Sequence, residues 1–146
     1  MLIRAITKND YDDITRVLDR WWGGPSGRGV DPMFFYEFGE HALVAVSDDN
    51  LVGFLIGLVA HRSNAPYGYI HLVGIHPDHR RRGVGRDLYV QFFEHCKNLG
   101  VARVKAIAAK GHEGPMHFHR SLGFSVDEIA DYAGPGRERV VFVKDL

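Results

Sequence analysis

The stretch from Tyr69 to Gly85 holds residue types whose order suits the binding of an anion. Its first part, Tyr69–His76, is an apolar run that predicts a buried strand. After a Pro-Asp turn come Arg80, Arg81, Arg82, Gly83, Val84 and Gly85. A helix start leaves backbone N–H groups unpaired and carries a partial positive charge, and glycine lets an anion approach the backbone closely. The run therefore predicts a phosphate cradle at the start of a helix.

Other interpretations of this run fit less well. A dinucleotide-binding fingerprint requires a third glycine, and Leu88 stands in its place. A nucleic-acid patch requires basic surroundings, and without them the four basic-type residues in a row at His79–Arg82 are too few. A solvated run of charges explains the arginines but leaves the glycines at a helix start without a reason. We therefore favour the cradle.

The same residues resemble a known family. Residues 80–85, Arg-Arg-Arg-Gly-Val-Gly, are similar to the Arg/Gln-x-x-Gly-x-Gly/Ala signature of the GNAT acetyltransferases, and Ile75-His76-Pro77 resembles the strand end before it. Residues 112–124 resemble a second motif of that family through Phe118 and the Gly-Phe pair that ends the segment. In this second motif His112 replaces the usual asparagine, and His119 replaces the usual tyrosine.

The resemblance implies acetyl-CoA as cosubstrate, a small primary amine as acceptor, and no metal. It implies an α/β (α+β) GNAT fold with a mixed, mostly antiparallel sheet of about seven strands, about four flanking helices, and splayed fourth and fifth strands. The implied cofactor-binding residues are Val73, Gly74, Ile75, Arg80, Arg81, Arg82, Gly83, Val84, Gly85, Arg86, His112 and His119. Backbone amides of residues 81–86 would hold the pyrophosphate, and the strand edge at 73–75 would bind pantetheine as an added strand binds.

Gly74 admits two interpretations. A glycine inside a strand often marks a bulge, and here a bulge would expose an amide to the oxyanion of the tetrahedral intermediate. The alternative is that Gly74 simply leaves room for a packed neighbour. We favour the bulge.

His119 and His71 are the predicted catalytic residues. At the position of the family's tyrosine, His119 would reprotonate the CoA thiolate, because an imidazole with a pKa of about 6.5 donates readily near neutrality. A surface helix histidine is the equal alternative. The acceptor amine also needs a base, because only a neutral amine attacks and an alkylammonium has a pKa of about 10.4. The resemblance implies His71 for this role, since it stands four residues before Ile75, where a member of the family carries a histidine proposed to act in its proton relay. Strand alternation predicts that Tyr69, His71 and Val73 share a face.

The acceptor pocket is the least determined part of the sequence. Glu37 and Glu40 are weaker candidates for the base, and a solvated helix face suits them better. Asp31 is a weak candidate for attracting an ammonium group. Aromatic residues bracket a glycine-rich loop in the region that encloses the acceptor in this family; we favour the core of the first helices for them over stacking on the acceptor. They are Trp21, Trp22, Phe34, Phe35 and Tyr36.

Hydrophobic spacing predicts the helices around this site. Met33–Glu40 is predicted to be a short helix. Val84, Leu88, Phe92, Cys96 and Leu99 form an apolar stripe at helical spacing after the cradle, and Gly100 closes that helix.

Composition bounds the remaining possibilities. The 146 residues suit a single domain (1–146), and a formal net charge of zero argues against nucleic-acid or membrane partners. The lone Cys96 excludes an internal disulfide, and nine histidines without paired spacing do not make a metal site. The chain start lacks a signal-peptide pattern. We expect a cytoplasmic protein and leave a homodimer open.

Two further functional hypotheses follow from the departures at His112 and His119 and from the open acceptor question. The first is a weakly active or non-catalytic acetyl-CoA-binding sensor or partner module. The second is an acetyltransferase that acts on protein N-termini or lysines. Amine-dependent thiol release separates the sensor from the enzymes.

Overall fold

The computed structural model describes residues 1–22, 31–62, 65–109 and 113–146. Within these ranges the chain forms a seven-stranded sheet flanked by four α-helices. The helices are α1 (Lys8–Trp22), α2 (Met33–Tyr36), α3 (Val84–Asn98) and α4 (Glu113–Ser121). The strands are β1 (Leu2–Ala5), β2 (Leu43–Ser47), β3 (Asn50–Arg62), β4 (Ala65–Ile75), β5 (Arg103–Ala109), β6 (Ser125–Ile129) and β7 (Arg139–Asp145). His112 and the predicted glycine-rich loop lie outside the described residues.

The strand order is β1-β2-β3-β4-β5-β7-β6, and β4 and β5 are the parallel pair in an otherwise antiparallel sheet. In the described residues β4 and β5 are paired from Gly68↔Val104 to Ile70↔Ala106. Both strands then continue, β4 to Ile75 and β5 to Ala109, without pairing to each other. The predicted mixed sheet with splayed fourth and fifth strands is therefore confirmed.

Two hydrophobic clusters cover the two faces of the sheet. On one face, α3 packs through Leu88, Phe92 and Cys96 against β3, β4 and β5. On the other face, α1 packs through Ile14 and Leu18 against β2, β3 and β4. We call these the α3 face and the α1 face.

The start of α1 is fixed by a reciprocal cap. The Thr7 N–H donates to the Asp10 carboxylate at 2.7 Å, and the Asp10 N–H donates to Thr7 Oγ1 at 3.3 Å. Arg4 pairs with the same carboxylate at 2.6 Å, which ties the helix start to β1. The helix therefore begins at Lys8, and Thr7 is its N-cap.

Two element predictions need correction. Leu99 is 53% exposed, because α3 ends at Asn98 and the chain reverses at Gly100, which has φ 74°. The predicted helix over Met33–Glu40 ends instead at Tyr36, and a separate 3₁₀ turn covers Gly39–His41, because glycine is a poor residue for continuing a helix. Among the described residues, no helix is long and apolar enough to cross a membrane.

Candidate active site

The turn between β4 and α3 presents an open helix start. Gly83 is the N-cap of α3 with φ 85°, and Arg81 is also left-handed with φ 61°. A side-chain carbon added at Gly83 would meet nothing within 4 Å, so the backbone here is accessible. The first N–H groups of the helix have no intrahelical acceptor. Together with the exposed Arg81 and Arg82 side chains, they form the geometry of an anion cradle.

The Arg80 side chain donates hydrogen bonds to two backbone carbonyls, one at the end of β4 and one at the end of α1. Its Nε donates to the Ile75 carbonyl at 3.3 Å, and its guanidinium also donates to the Trp21 carbonyl. Trp21 lies in the last turn of α1, where carbonyl groups lack helical partners and the helix dipole is negative. Arg80 therefore joins the end of β4 to the end of α1. No pattern in the sequence indicates which arginine of the run has this positioning role.

Val73, Gly74 and Ile75 lie beyond the last β4–β5 pair, so this edge of β4 faces the gap between the strands. Gly74 stays in register opposite Phe54, and an added side-chain carbon would lie 2.5 Å from the Phe54 ring. Gly74 therefore makes room for that ring. The prediction of a bulge at Gly74 is wrong.

The bulge in β4 lies at His71 instead. Leu72 is opposite Ile56 and Ile70 is opposite Gly57, which leaves His71 as the extra residue. A bulge shifts the side-chain alternation. Consequently His71 lies on the α1 face, where its ring stacks on Phe34 with centroids 4.2 Å apart.

The shift corrects the predicted grouping of residues on β4. Tyr69 and His71 do share a face, with ring centroids 6.1 Å apart. Val73 packs against the α3-face cluster instead. His71 is thus half-buried at the point where β4 leaves β5, next to the gap.

His119 has a different environment. It is 7% exposed, its ring stacks on Phe142 at 3.9 Å, and its Nε2 lies 2.9 Å from Tyr89 Oη. Burial raises the pKa of Tyr89 above its usual range, so this phenol remains a neutral partner. The interpretation of His119 as a surface histidine is wrong. His119 packs on the α3 face, and the structure does not bring it together with His71.

Residues 11–124 match the acetyltransferase (GNAT) family. This chain belongs to the GNAT acetyltransferase family. A mycothiol acetyltransferase from Propionibacterium freudenreichii subsp. shermanii is 32% identical over 91 residues, which are 61% of this chain and 29% of that protein. N-alpha-acetyltransferase 30 from Schizosaccharomyces pombe is 26% identical over 113 residues, 77% of this chain and 75% of that protein. The chain therefore spans under a third of the mycothiol relative and most of the second one.

The fold of this GNAT chain is shared with solved structures. A chain in the crystal structure of the NatC complex bound to Gag peptide and CoA superposes with a TM-score of 0.83 at 14% identity, covering 99% of this chain and 98% of that one. At this identity the likeness establishes the fold alone.

On the α1 face, most of the aromatic residues belong to the core. Trp21 is 5% exposed and stacks on Phe54 at 6.0 Å, and Phe34 is 8% exposed. These contacts confirm the core interpretation for Trp21 and Phe34. Tyr36, by contrast, is 63% exposed. The side chain of Trp22 lies outside the described residues.

The acidic candidates of the acceptor side are engaged elsewhere or solvated. Asp31 Oδ1 accepts the Met33 N–H at 2.9 Å and so satisfies the first N–H of α2. Glu37 and Glu40 are exposed, and Glu40 Oε1 lies 3.3 Å from His41 Nε2. These positions agree with the solvated interpretation.

A cysteine nucleophile and a metal centre gain no support in the described part of the chain. Cys96 is fully buried, and burial raises the pKa of its thiol to about 11, which disfavours the thiolate. No group of three or more His, Cys, Asp or Glu residues in the described ranges is arranged to hold a metal ion.

Sequence reasoning missed two tyrosines. Tyr89 is the hydrogen-bond partner of His119, and only the packing of α3 against α4 reveals it. Tyr132, 44% exposed, follows β6 and is close enough to Tyr69 of β4 to affect its pKa. Burial, with smaller contributions from Tyr132 and Tyr67, raises the pKa of Tyr69. Tyr132 lies in a turn without hydrophobic periodicity, so no sequence signal placed it there.

Proposed function

We propose that this chain transfers the acetyl group of acetyl-CoA to a primary amine of a small molecule, by direct attack in a ternary complex. The observation that carries the proposal is the gap between β4 and β5 beside the glycine-capped start of α3. Membership of the GNAT family supports acetyl transfer. The structural likeness to a chain from a CoA-bound complex supports the choice of cosubstrate.

Two parts of the site contact the cofactor: the start of α3 and the edge of β4 that faces the gap. The pyrophosphate binds the backbone amides of residues 81–86, and the exposed arginines add positive charge. The pantetheine arm, which resembles a peptide, lies along Val73, Gly74 and Ile75 as an added strand. An N–H at this strand edge donates to the thioester oxygen as it becomes negatively charged.

His71 is the proposed base. The amine nitrogen loses a proton to His71, directly or through water, and forms a bond to the acetyl carbon while the carbon–sulfur bond breaks. The bulge places His71 beside the gap, and Phe34 fixes the plane of its ring. Acetylated amine and CoA are the products once the thiolate has taken up a proton.

His119 is the proposed source of that last proton, by an indirect route. Its Nε2 is hydrogen-bonded to Tyr89 Oη, and the Tyr89 ring contacts the Phe118 ring at a centroid distance of 5.1 Å. Phe118 borders Gly85 of the cradle, 3.6 Å from an added side-chain carbon. His119 therefore lies one layer behind the cradle, and its proton must travel through Tyr89 or water.

The burial of His119 also favours a second candidate function, in which the chain binds acetyl-CoA without efficient transfer. Such a module binds acetyl-CoA but releases no thiol when amines are added. An acceptor on a protein N-terminus is the third possibility, supported by the relative named N-alpha-acetyltransferase 30. An acceptor panel that includes peptides separates it from a small amine.

The cofactor site can be tested with a matched pair of glycine variants. Gly83 and Gly100 both have left-handed φ, 85° and 74°, and an added carbon meets nothing within 4 Å at either position. Gly83→Val and Gly100→Val therefore carry similar backbone strain. Titration calorimetry should show a loss of at least about tenfold in acetyl-CoA affinity for Gly83→Val alone. Equal affinities in the two variants would place the cofactor elsewhere.

A further inference from the structure

A cavity of about 580 Å³ opens at the opposite end of β4 and β5 from the cradle. Because these strands are parallel, their first residues lie together at one edge of the sheet and the cradle lies at the other. The cavity is lined by Arg62 at the end of β3, Tyr67 near the start of β4, Arg103 and Lys105 on β5, and Asp145. Nothing in the proposed transfer of the acetyl group uses these residues.

The cavity carries an excess of positive charge in a chain that is neutral overall. Arg103 Nε donates to Asp145 Oδ1 at 2.8 Å, so these two charges compensate each other. The Lys105 ammonium lies 4.5 Å from the centre of the Tyr67 ring. Among the described residues, no carboxylate forms an ion pair with Arg62 or Lys105. Two cations therefore border the cavity without a compensating acid there.

A line of aromatic side chains connects this cavity to His71. Alternation places Tyr67 and Tyr69 on the face of β4 that also carries His71, and Lys105 is the register partner of Tyr69. The Tyr69 and His71 rings are 6.1 Å apart. At ~3.3 Å per residue, the distance from Tyr67 to His71 along the strand is ~13 Å.

We propose that this cavity binds the anionic end of the acceptor, so that the substrate is a primary amine with a carboxylate or phosphate roughly 10–13 Å away. The inference rests on the proposed function, because the amine end is placed at His71. Guanidinium and ammonium groups recognise carboxylates and phosphates by charge-assisted hydrogen bonds. An extended peptide of about four residues spans this distance, as does an aminoalkyl phosphate.

Matched acceptor pairs test the proposal. One pair is the amidated peptides Ala-Gly-Gly-Glu and Ala-Gly-Gly-Gln, and the other is 6-aminohexyl phosphate with 6-aminohexanol. Thiol release should give a kcat/KM about tenfold higher for the anionic member of at least one pair, mainly through KM. The preference should shrink as sodium chloride is raised, because salt screens exposed charges. The pair that shows the preference identifies a peptide or a small-molecule source.

Charge-matched variants locate the effect. In the double variant Arg62→Gln/Lys105→Gln, the ratio of kcat/KM for the anionic acceptor to kcat/KM for its neutral partner should lie within about twofold of one. The control Arg16→Gln/Lys97→Gln removes the same charge from exposed positions on α1 and α3 and should keep the wild-type ratio. A wild-type ratio of one, or a ratio that survives in Arg62→Gln/Lys105→Gln, would overturn the proposal.

Failure of the proposed function has a different signature. If no amine causes thiol release, calorimetry with CoA present compares the binding of the two peptides directly. Tighter binding of the glutamate peptide that disappears in Arg62→Gln/Lys105→Gln would still support the anion subsite. Equal binding of the two peptides, or no binding of either, would contradict it.

Discussion

The two faces of the sheet each carry a histidine, and the two histidines differ in burial and in their neighbours. On the α1 face, His71 is the extra residue of a bulge, half-buried and next to an unpaired strand edge. On the α3 face, His119 is 7% exposed and lies between a phenylalanine ring and a tyrosine hydroxyl. An accessible imidazole beside a gap can exchange protons with a substrate, whereas an enclosed one mainly supports packing. The contrast assigns the proposed base to the first face; on the second, His119 supports packing and can supply a proton only indirectly, through Tyr89 or water.

The largest expected effect is on turnover at His71. His71→Gln removes the proposed base while keeping a side chain of similar length, and kcat/KM for the amine should fall by about 10²–10⁴. Acetyl-CoA affinity should stay within about twofold, because the cradle is untouched. His117→Gln, on the exposed side of α4, is the control. A decrease confined to acetyl-CoA affinity would show that His71 positions the cofactor instead.

The next effect is on stability at His119. His119→Ala leaves a cavity against Phe142 and an unsatisfied Tyr89 hydroxyl, so the free energy of unfolding should fall by ~2–4 kcal/mol. Tyr89→Phe removes only the hydrogen-bond partner and should cost ~1 kcal/mol. Urea unfolding followed by circular dichroism measures both. A His119→Ala protein of unchanged stability would contradict the packing role, and a greatly reduced kcat beside it would leave proton supply to the thiolate as the role of His119.

Glycines on the two faces sharpen the comparison further. At Gly74 an added carbon would lie 2.5 Å from the Phe54 ring, whereas at Gly85 its nearest contact, Phe118, is an ordinary 3.6 Å away. Gly74→Ala should therefore lower the free energy of unfolding by ~1–3 kcal/mol. Gly85→Ala, inside a helix, should leave it unchanged or raise it by up to ~1 kcal/mol. Equal melting temperatures for the two variants would mean that Phe54 moves aside without strain.

The smallest effect is a dependence of stability on pH. His95 Nε2 on α3 lies 2.8 Å from His41 Nδ1. Burial is the main cause that lowers the pKa of His95. The neighbouring His41 lowers this pKa further, and Glu40 raises it by a smaller amount. The stabilising contribution of His95 is therefore complete above the unfolded pKa of about 6.5 and is lost as pH falls through the lowered folded value. Urea midpoints should fall less between pH 7.5 and 5.5 in His95→Gln than in the wild type. An identical fall in both would remove His95 as the cause.

The sequence predicted the parts of the site that depend on local residue order. Gly83 at a helix start and the strand before it follow from spacing alone, and both are found where expected. The apolar stripe of α3 was correct through Cys96 and failed at Leu99, which lies beyond the last helical turn. Local patterns fix elements, and element ends are set by caps.

The parts that failed depend on contacts between distant segments. The bulge at His71 arises in the pairing of β4 with β3, opposite Ile56 and Gly57, and Gly57 itself leaves room for the Phe92 ring. The burial of His119 depends on Phe142 of β7, and Arg80 reaches the carbonyl of Trp21, 59 residues earlier. No local pattern in a single sequence encodes such contacts.

The proposed function is tested most directly by a thiol-release assay with acetyl-CoA and a panel of small amines and peptides, from pH 6 to 9. Release should require both acetyl-CoA and an amine in the wild type, and should fall by about 10²–10⁴ in His71→Gln. Acetyl-CoA binding without release for any amine would favour the sensor. If the protein shows no acetyl-CoA binding and no thiol release, the assignment of the gap between β4 and β5 as a cofactor site is contradicted.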